Sequence, residues 1–300
     1  MNGATVISRS LPTLARYLYA VYIPYRLGLR DSTVAQLSIA VTLYSRWLER
    51  PARLDDLLDE PVLRFLADYS RDKAASTVNA KRRHLLALWR DAHERGYVNV
   101  SPGKIPKIPE PDSLPEAWTI QEVSRVLRAA GAESGTVAGL RASSYWVSLI
   151  LAMLDTGARI GAMSRVRCSQ IRLDDPAGLE LSSEFSKTHR AKWCPLHPQT
   201  VQSCSWIWDA SRELMWPWPY HDSVRRRHLK RLCAKAGVRV GRPFGGVFHK
   251  LRRTSGTLVE ANGGDGSKQL GNTRAVFLKS YLDPRVAGNG QLQFLPRPEF

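Results

Sequence analysis

Five prolines fall within residues 101–116, SPGKIPKIPEPDSLPE, and this segment restricts the fold of the chain more than any other. Proline removes a backbone donor and disfavours helix at the residue before it, so a regular helix cannot run through the segment. The pattern predicts a stiff, extended linker, and a length of 300 residues also favours two domains. We expect an N-terminal domain over residues 1–105, a linker over 106–116 and a C-terminal domain over 117–300.

Hydrophobic periodicity predicts that the N-terminal domain is all α. Apolar side chains recur every three or four residues in three stretches, about 32–48, 61–71 and 76–96. Residues 1–30 predict an irregular arm or a short helix. The polar face of the third helix carries four basic side chains: Lys81, Arg82, Arg83 and Arg90. These charges fit either a solvated face or a face that contacts DNA.

The C-terminal domain is predicted to be α-rich with a small antiparallel sheet. A capping box at Thr119 starts one helix, and an apolar helix from about Ser143 to Leu154 leads into Asp155-Thr-Gly. Strand-like runs at 179–185 and 192–196 predict a hairpin, with residues 170–173 as a possible third strand. Further helices are predicted over 199–214 and 222–236. The fold class is therefore mainly α, in two domains.

The charge of the chain points to a polyanionic partner. Lys and Arg number 44 against 27 Asp and Glu, which gives a net charge of +17. A folded, aromatic-containing chain with this balance is typical of nucleic-acid-binding proteins. The densest positive cluster lies on the predicted helix 222–236 and comprises Arg225, Arg226, Arg227, Lys230 and Arg231. We expect this face to contact phosphates, which supplies affinity without reading sequence.

Other function classes lack support in the sequence. No P-loop, GxGxxG or HExxH motif is present, and no cluster of carboxylates suggests two-metal chemistry. The four cysteines form no C-x-x-C pair or zinc spacing, which favours a reducing, intracellular compartment. The N-terminus resembles no signal peptide, and no apolar stretch is long enough to span a bilayer. We therefore expect no cofactor, no metal and no membrane partner.

A histidine and an arginine three residues apart, His249 and Arg252, are the strongest candidates for chemistry. On one helical face they would present an imidazole and a guanidinium to a phosphate diester. Leu270-Gly271-Asn272 follows, and Tyr281 stands nine residues beyond the asparagine. A tyrosine hydroxyl becomes an effective nucleophile when neighbouring cations balance its developing charge. By itself the pair also fits an ordinary basic surface helix.

Four segments together resemble the tyrosine recombinases, or phage integrases. Thr156-Gly-Ala-Arg159 resembles the first arginine box of that family, and His249-Lys-Leu-Arg252 resembles its His-x-Leu-Arg box. Leu270-Gly-Asn through Tyr281 is similar to the segment that carries the nucleophile. Ser186-Lys187-Thr188, in the turn of the predicted hairpin, resembles the segment with the hairpin lysine. The resemblance covers most of the chain and implies a core-binding (SAM-like) domain followed by a catalytic domain.

The resemblance implies a site-specific recombinase that cuts and rejoins double-stranded DNA through a 3′-phosphotyrosine, without ATP or metal, as a homo-tetramer on paired sites. Tyr281 would be the nucleophile, and Arg159 and Arg252 would bind the phosphoryl oxygens. Lys187 would protonate the leaving 5′-oxygen, and His249 would assist proton transfer. Asn272 would donate a hydrogen bond.

The sequence departs from the family pattern at three positions. Ala162 stands where an acidic residue is usual, Arg253 replaces a usual histidine, and Asn272 occupies a position that usually holds His or Trp. Asparagine can donate a hydrogen bond but cannot transfer a proton at neutral pH. One alternative therefore stays open: an accessory protein of the same fold that binds DNA and cleaves it poorly or not at all. A type IB topoisomerase-like enzyme is a third hypothesis, because its chemistry is the same but needs no partner site.

Overall fold

A computed structural model describes residues 11–185, 191–241 and 246–288. The chain divides into two compact units, Met1–Asp112 and Ser113–Phe300. Both consist mainly of helices, in agreement with the predicted fold class. In the described part of the chain, no helix is long and apolar enough to cross a membrane.

The first unit is all α and encloses its own apolar core. The predicted helices are confirmed, and α1 continues as a π-helical turn over Leu18–Tyr22. The helices are α1 Leu14–Tyr17, α2 Asp31–Trp47, α3 Asp59–Ser70 and α4 Ala75–Glu94. Large aromatic side chains, among them Tyr17, Tyr44, Phe65 and Trp89, are at most 2% exposed and fill the space between the helices.

The start of the proline-rich segment packs on this unit. The side chain of Ile105 is only 2% exposed, and the carbonyl of Ile105 accepts a hydrogen bond from Nε of Arg82 at 2.9 Å. The amide of Asn79 pairs with both backbone groups of Ile108, at 2.9 and 3.0 Å. Prolines leave few backbone donors here, so side chains of α4 satisfy the backbone groups that remain.

The second unit surrounds one long apolar helix. Helix α6 buries ten of its side chains and contributes Trp146, Leu149 and Met153 to the centre of the core. The helices of this unit are α5 Ile120–Gly131, α6 Ala142–Thr156, α7 Ile160–Met163, α8 Pro198–Ser205, α9 Asp222–Lys235, α10 Val247–Ala261, α11 Gly266–Leu270, α12 Arg274–Ser280 and α13 Pro284–Ala287. The predicted capping box of α5 is present, with Thr119 and Glu122 exchanging hydrogen bonds.

Two small antiparallel sheets complete the unit. A short pair, β1 Thr136–Val137 and β2 Leu140–Arg141, precedes α6. The second sheet has the order β3-β4-β5, formed by Ile171–Arg172, Gly178–Leu181 and Lys192–Pro195. The predicted hairpin and its third strand are thus confirmed, although β4 ends at Leu181, earlier than expected.

The helix predicted over 199–214 is wrong beyond Ser205. The chain there turns to pair with the segment before β3 instead of continuing the helix. Cys168 donates its backbone N–H to the Glu213 carbonyl at 2.9 Å, and Met215 donates to the Val166 carbonyl at 2.9 Å. Because this pairing joins distant segments, the local pattern of apolar residues did not indicate it.

Candidate active site

Helix α10 places Arg252 in the interior of the second unit. The side chain is 4% exposed, and its Nη2 donates to the Leu270 carbonyl at 2.6 Å. Its Nη1 donates to the carbonyl of Gly157. Two segments that are far apart in sequence therefore hold one guanidinium in a fixed plane. Its Nε has no partner among the described groups, so this N–H remains available to a ligand.

The loop after α6 positions Arg159. Helix α6 ends at Gly157, whose φ of +60° is the left-handed conformation that glycine adopts readily. Two residues later, Arg159 occupies the N-cap position of α7 without a side-chain capping bond, and its side chain is exposed. Within the part of the chain that the structure describes, its guanidinium makes no ion pair or hydrogen bond. Its donors are therefore free to bind an anion.

Tyr281 lies at the end of α12, and its ring contacts two side chains of α10, those of His249 and Arg252. The ring centroid is 5.2 Å from that of His249 and 5.4 Å from Cζ of Arg252. Burial raises the pKa of Tyr281, but Arg252, Arg159 and Asn272 together outweigh burial and bring that pKa below its usual value. The cluster thus favours negative charge on this phenolic oxygen.

His249 lies at the edge of the same cluster. Part of the side chain is exposed to solvent, but the surrounding protein still desolvates the imidazole. This desolvation and the guanidiniums of Arg253, Arg252 and Arg159 lower the pKa of His249 to about 4. The imidazole is therefore neutral at physiological pH, and the same lowered pKa makes it a weaker base than an ordinary histidine.

Asn272 follows the left-handed Gly271, which has a φ of +61° and ends α11. The side-chain nitrogen of Asn272 is buried and makes no well-formed hydrogen bond to any described group. It lies near enough to Tyr281 to contribute to the lowered pKa of that residue. A buried amide that lacks a partner is a ready donor for a bound oxygen.

Five of the six predicted catalytic residues therefore lie together: Arg159, His249, Arg252, Asn272 and Tyr281. Lys187 lies outside the described residues. A second lysine of the hairpin, Lys192, donates through Nζ to the Gln269 carbonyl at 2.7 Å. Its position at the start of a predicted strand was visible in the sequence, but its contact with the segment before Asn272 was not.

Gln269 is a further residue that the sequence did not single out. Its side-chain nitrogen donates to the Ser255 hydroxyl at 3.2 Å and also reaches the carbonyl of Asp155. The hydrogen bonds of Gln269 thereby join the three segments that carry Arg159, Arg252 and Asn272. No signal in the sequence pointed to this link.

The basic residues of α4 do not form one exposed face. Lys81 is 5% exposed and bonds to Gln36 at 3.3 Å, while burial lowers its pKa. Arg82 is half-buried and holds the Ile105 carbonyl. Arg83 and Arg90 are exposed, which fits either a solvated face or a face that contacts DNA. The expectation is corrected for Lys81, because its side chain packs toward α2.

The basic face of α9 also needs correction. Arg225 is 4% exposed and lies over the ring of Trp218, with Cζ 5.2 Å from the centroid. Arg231 pairs with Glu133 at the end of α5 and is partly neutralised. On α9, the exposed basic residues that make no ion pair with a described residue are Arg226, Arg227 and Lys230. The available positive face is thus narrower than the sequence indicated.

The described ranges, 11–185, 191–241 and 246–288, contain no group of three or more His, Cys, Asp or Glu side chains arranged to hold a metal ion. The site instead gathers two guanidiniums, an amide and a neutral imidazole around a tyrosine hydroxyl. Such a set can bind a phosphate diester and stabilise the charge that builds during attack on it.

No family model matches the chain, and no curated protein sequence matches it. Solved structures do match. A lambda integrase tetramer bound to a Holliday junction is 19% identical with a TM-score of 0.72, over 97% of this chain and 81% of that chain. A lambda integrase dimer bound to a COC′ core site is 19% identical with a TM-score of 0.70, over 95% and 97%. The Tn1549 transposon integrase in complex with a circular intermediate DNA is 12% identical with a TM-score of 0.70, over 94% and 99%. The chain therefore has the integrase fold that its resemblance to tyrosine recombinases predicted.

Proposed function

We propose that this protein is a site-specific DNA recombinase that breaks and rejoins strands through a covalent phosphotyrosine. The observation that carries the proposal is the position of the Tyr281 ring, whose centroid lies 5.2 Å from that of His249 and 5.4 Å from Cζ of Arg252. The net charge of +17 is consistent with binding to DNA. The integrase fold adds support, since the matched structures hold DNA. By the same likeness, the partners are duplex DNA and three further copies of the chain.

The proposed reaction begins with attack by the Tyr281 oxygen on the scissile phosphorus. His249 accepts the phenolic proton, because the bound phosphate anion offsets the guanidiniums that lower the pKa of this imidazole in the free protein. Arg159 and Arg252 donate to the non-bridging oxygens as their negative charge grows, and Asn272 adds a hydrogen bond. The bond from phosphorus to the 5′-oxygen breaks, and Lys187 supplies the proton that this oxygen takes up. Attack by a second 5′-hydroxyl on the phosphotyrosine reverses these transfers and joins the new strands.

A nicked substrate tests the proposal. The bound sequence is first selected from random DNA, and a nick is then placed close to the scissile phosphate. After cleavage the short 5′-hydroxyl fragment diffuses away, so the adduct cannot reverse and accumulates. Tyr281→Phe removes one hydroxyl and keeps the ring, so we expect unchanged DNA affinity and no adduct. Peptide mapping should locate the nucleotide on Tyr281 and not on Ser280.

A second outcome would indicate a different function. Wild-type protein that binds its site tightly as a tetramer and forms no adduct would be a DNA-binding accessory protein. Relaxation of supercoiled DNA by adduct-forming protein that never exchanges strands between two sites would indicate a topoisomerase-like enzyme.

A further inference from the structure

Arg253 and Thr257, on α10, have no role in the proposed reaction. They bind the backbone carbonyls immediately before and after the Cα of Tyr281. Arg253 donates through Nε to the carbonyl of Ser280 at 3.0 Å. Thr257 donates through its hydroxyl to the carbonyl of Tyr281 at 3.1 Å. Both carbonyls lie at the end of α12, where the helix offers no following N–H to pair with them. Side chains of another helix therefore supply the missing donors.

The hydroxyl of Thr257 makes two hydrogen bonds with the backbone of residues 281–283, the tyrosine turn. While it donates to the Tyr281 carbonyl, it accepts the backbone N–H of Asp283 at 3.2 Å. Thr257 is completely buried, so water does not replace either bond. Buried backbone groups without partners are costly, and this requirement restricts the turn to one arrangement.

These anchors share a helix with the side chains that contact the ring. Arg253 and Thr257 lie one turn apart on α10, and His249 and Arg252 lie near its start. Because a helix is a stiff body, the backbone of the tyrosine and the guanidinium against its ring cannot move apart while the anchors hold. The guanidinium of Arg253 also places positive charge at the C-terminal end of α12, which a helix end favours.

Building on the proposed recombinase function, we infer that Thr257 and Arg253 are positioning residues that hold Tyr281 against Arg252 and His249. Neither residue needs to touch the phosphate, since both act through backbone carbonyls. A reacting group that moves by roughly 1 Å can lose on the order of 100-fold in rate. Loss of either anchor should therefore slow attack without weakening DNA binding.

Thr257→Val tests the inference, because valine has the same shape and lacks the hydroxyl. Thr254→Val is its matched control. Thr254 is also completely buried on α10, but its hydroxyl accepts the N–H of Trp118 at 2.8 Å and makes no bond to the tyrosine turn. With saturating nicked DNA, well below each melting temperature, we expect Thr257→Val to slow adduct formation by about 10- to 100-fold. Thr254→Val should keep the wild-type rate, and Thr257→Ser should regain most of it.

Arg253 is tested by a similar pair of variants. Arg253→Met removes the donor to Ser280, whereas Arg253→Lys keeps the positive charge and can still donate a hydrogen bond. We expect slower adduct formation for Met than for Lys, at equal DNA affinity. Wild-type rates in both Arg253→Met and Thr257→Val would overturn the inference.

A small nucleophile distinguishes positioning from general damage to the site. In Tyr281→Phe protein, hydrogen peroxide can supply the oxygen that attacks phosphorus, and the same 5′-oxygen leaves. Peroxide does not depend on the tyrosine turn, so adding Thr257→Val should leave this cleavage unchanged. Equal losses with tyrosine and with peroxide would mean that Thr257 supports the phosphate site instead.

Titration of the phenol provides a test that needs no cleavage. The ultraviolet difference between each protein and its Tyr281→Phe counterpart isolates this one tyrosine. Thr257→Val should raise the pKa of Tyr281, because the ring moves away from Arg252. Thr254→Val should not, and an unchanged pKa in Thr257→Val would refute the positioning role. Absence of any wild-type adduct would overturn the proposed function alone, since the titration still decides where Thr257 holds the ring.

Discussion

Substitution of Gly157 by alanine should disturb the stability of the fold and the site together. Gly157 has a φ of +60°, where an alanine costs roughly 1–2 kcal/mol. A Cβ there would also lie 2.6 Å from Cδ2 of Leu270 and 3.1 Å from Oγ of Ser255. Forcing an atom into a packed site adds about 1–3 kcal/mol. The combined loss is on the order of 2–5 kcal/mol.

Gly237→Ala measures the backbone contribution alone, so the difference between the two variants gives the packing contribution. Gly237 also follows a helix of the second unit with a φ of +63°, but no heavy atom lies within 4 Å of a Cβ placed there. It should therefore lose only the roughly 1–2 kcal/mol that the left-handed conformation costs. For a unit of this size each kcal/mol lowers the melting temperature by about 2–4 °C. Thermal unfolding should thus show a drop of roughly 4–20 °C for Gly157→Ala and about 2–8 °C for Gly237→Ala.

The same comparison extends to activity. The Gly157 and Leu270 carbonyls both hold the Arg252 guanidinium, so pushing them apart should slow adduct formation. Gly237→Ala should cleave normally at a temperature where it is folded. Leu270→Val removes the Cδ atoms and should recover part of the stability that Gly157→Ala removes. Equal melting temperatures for the two glycine variants would refute the tight packing against Leu270.

Four further outcomes are expected. Asn272→Ala should lower the rate of adduct formation by about 10- to 100-fold, whereas Asn272→His should preserve or raise it, as single-turnover cleavage would show. Lys187→Ala should nearly abolish cleavage of ordinary DNA and recover it on a substrate with sulfur at the 5′-bridging position, and equal losses would exclude a general-acid role. Replacing both Arg226 and Lys230 with alanine should weaken specific and non-specific binding alike and reduce the slope of log affinity against log salt by about one for each phosphate that is no longer bound. His249 stays neutral in the folded state until about pH 4, whereas its usual pKa is 6.5, so the unfolded chain binds the proton first and the free energy of unfolding should fall as pH drops through this window. His249→Gln should flatten that part of the pH profile.

Features that depend on neighbours along the chain could be predicted from the sequence. The helices of the first unit follow apolar spacing of three and four residues, and Thr119 starts α5 because its capping box is formed within one turn. Gly157 ends α6 because glycine tolerates the left-handed conformation there. The candidate catalytic residues were proposed from short contiguous motifs and from the resemblance of these motifs to those of the tyrosine recombinases.

Contacts between distant segments were decided only by the tertiary structure. The sequence shows Arg225 and Arg226 as equivalent charges on α9, yet Arg225 is buried over the ring of Trp218 and Arg226 faces solvent. It likewise shows Thr257 as an ordinary helical threonine, although its hydroxyl binds the turn that follows Tyr281. Local patterns record which face of a helix is apolar, because residues three and four apart share a face. Which backbone group then meets a given side chain depends on how separate helices pack, and no spacing within a single segment encodes that packing.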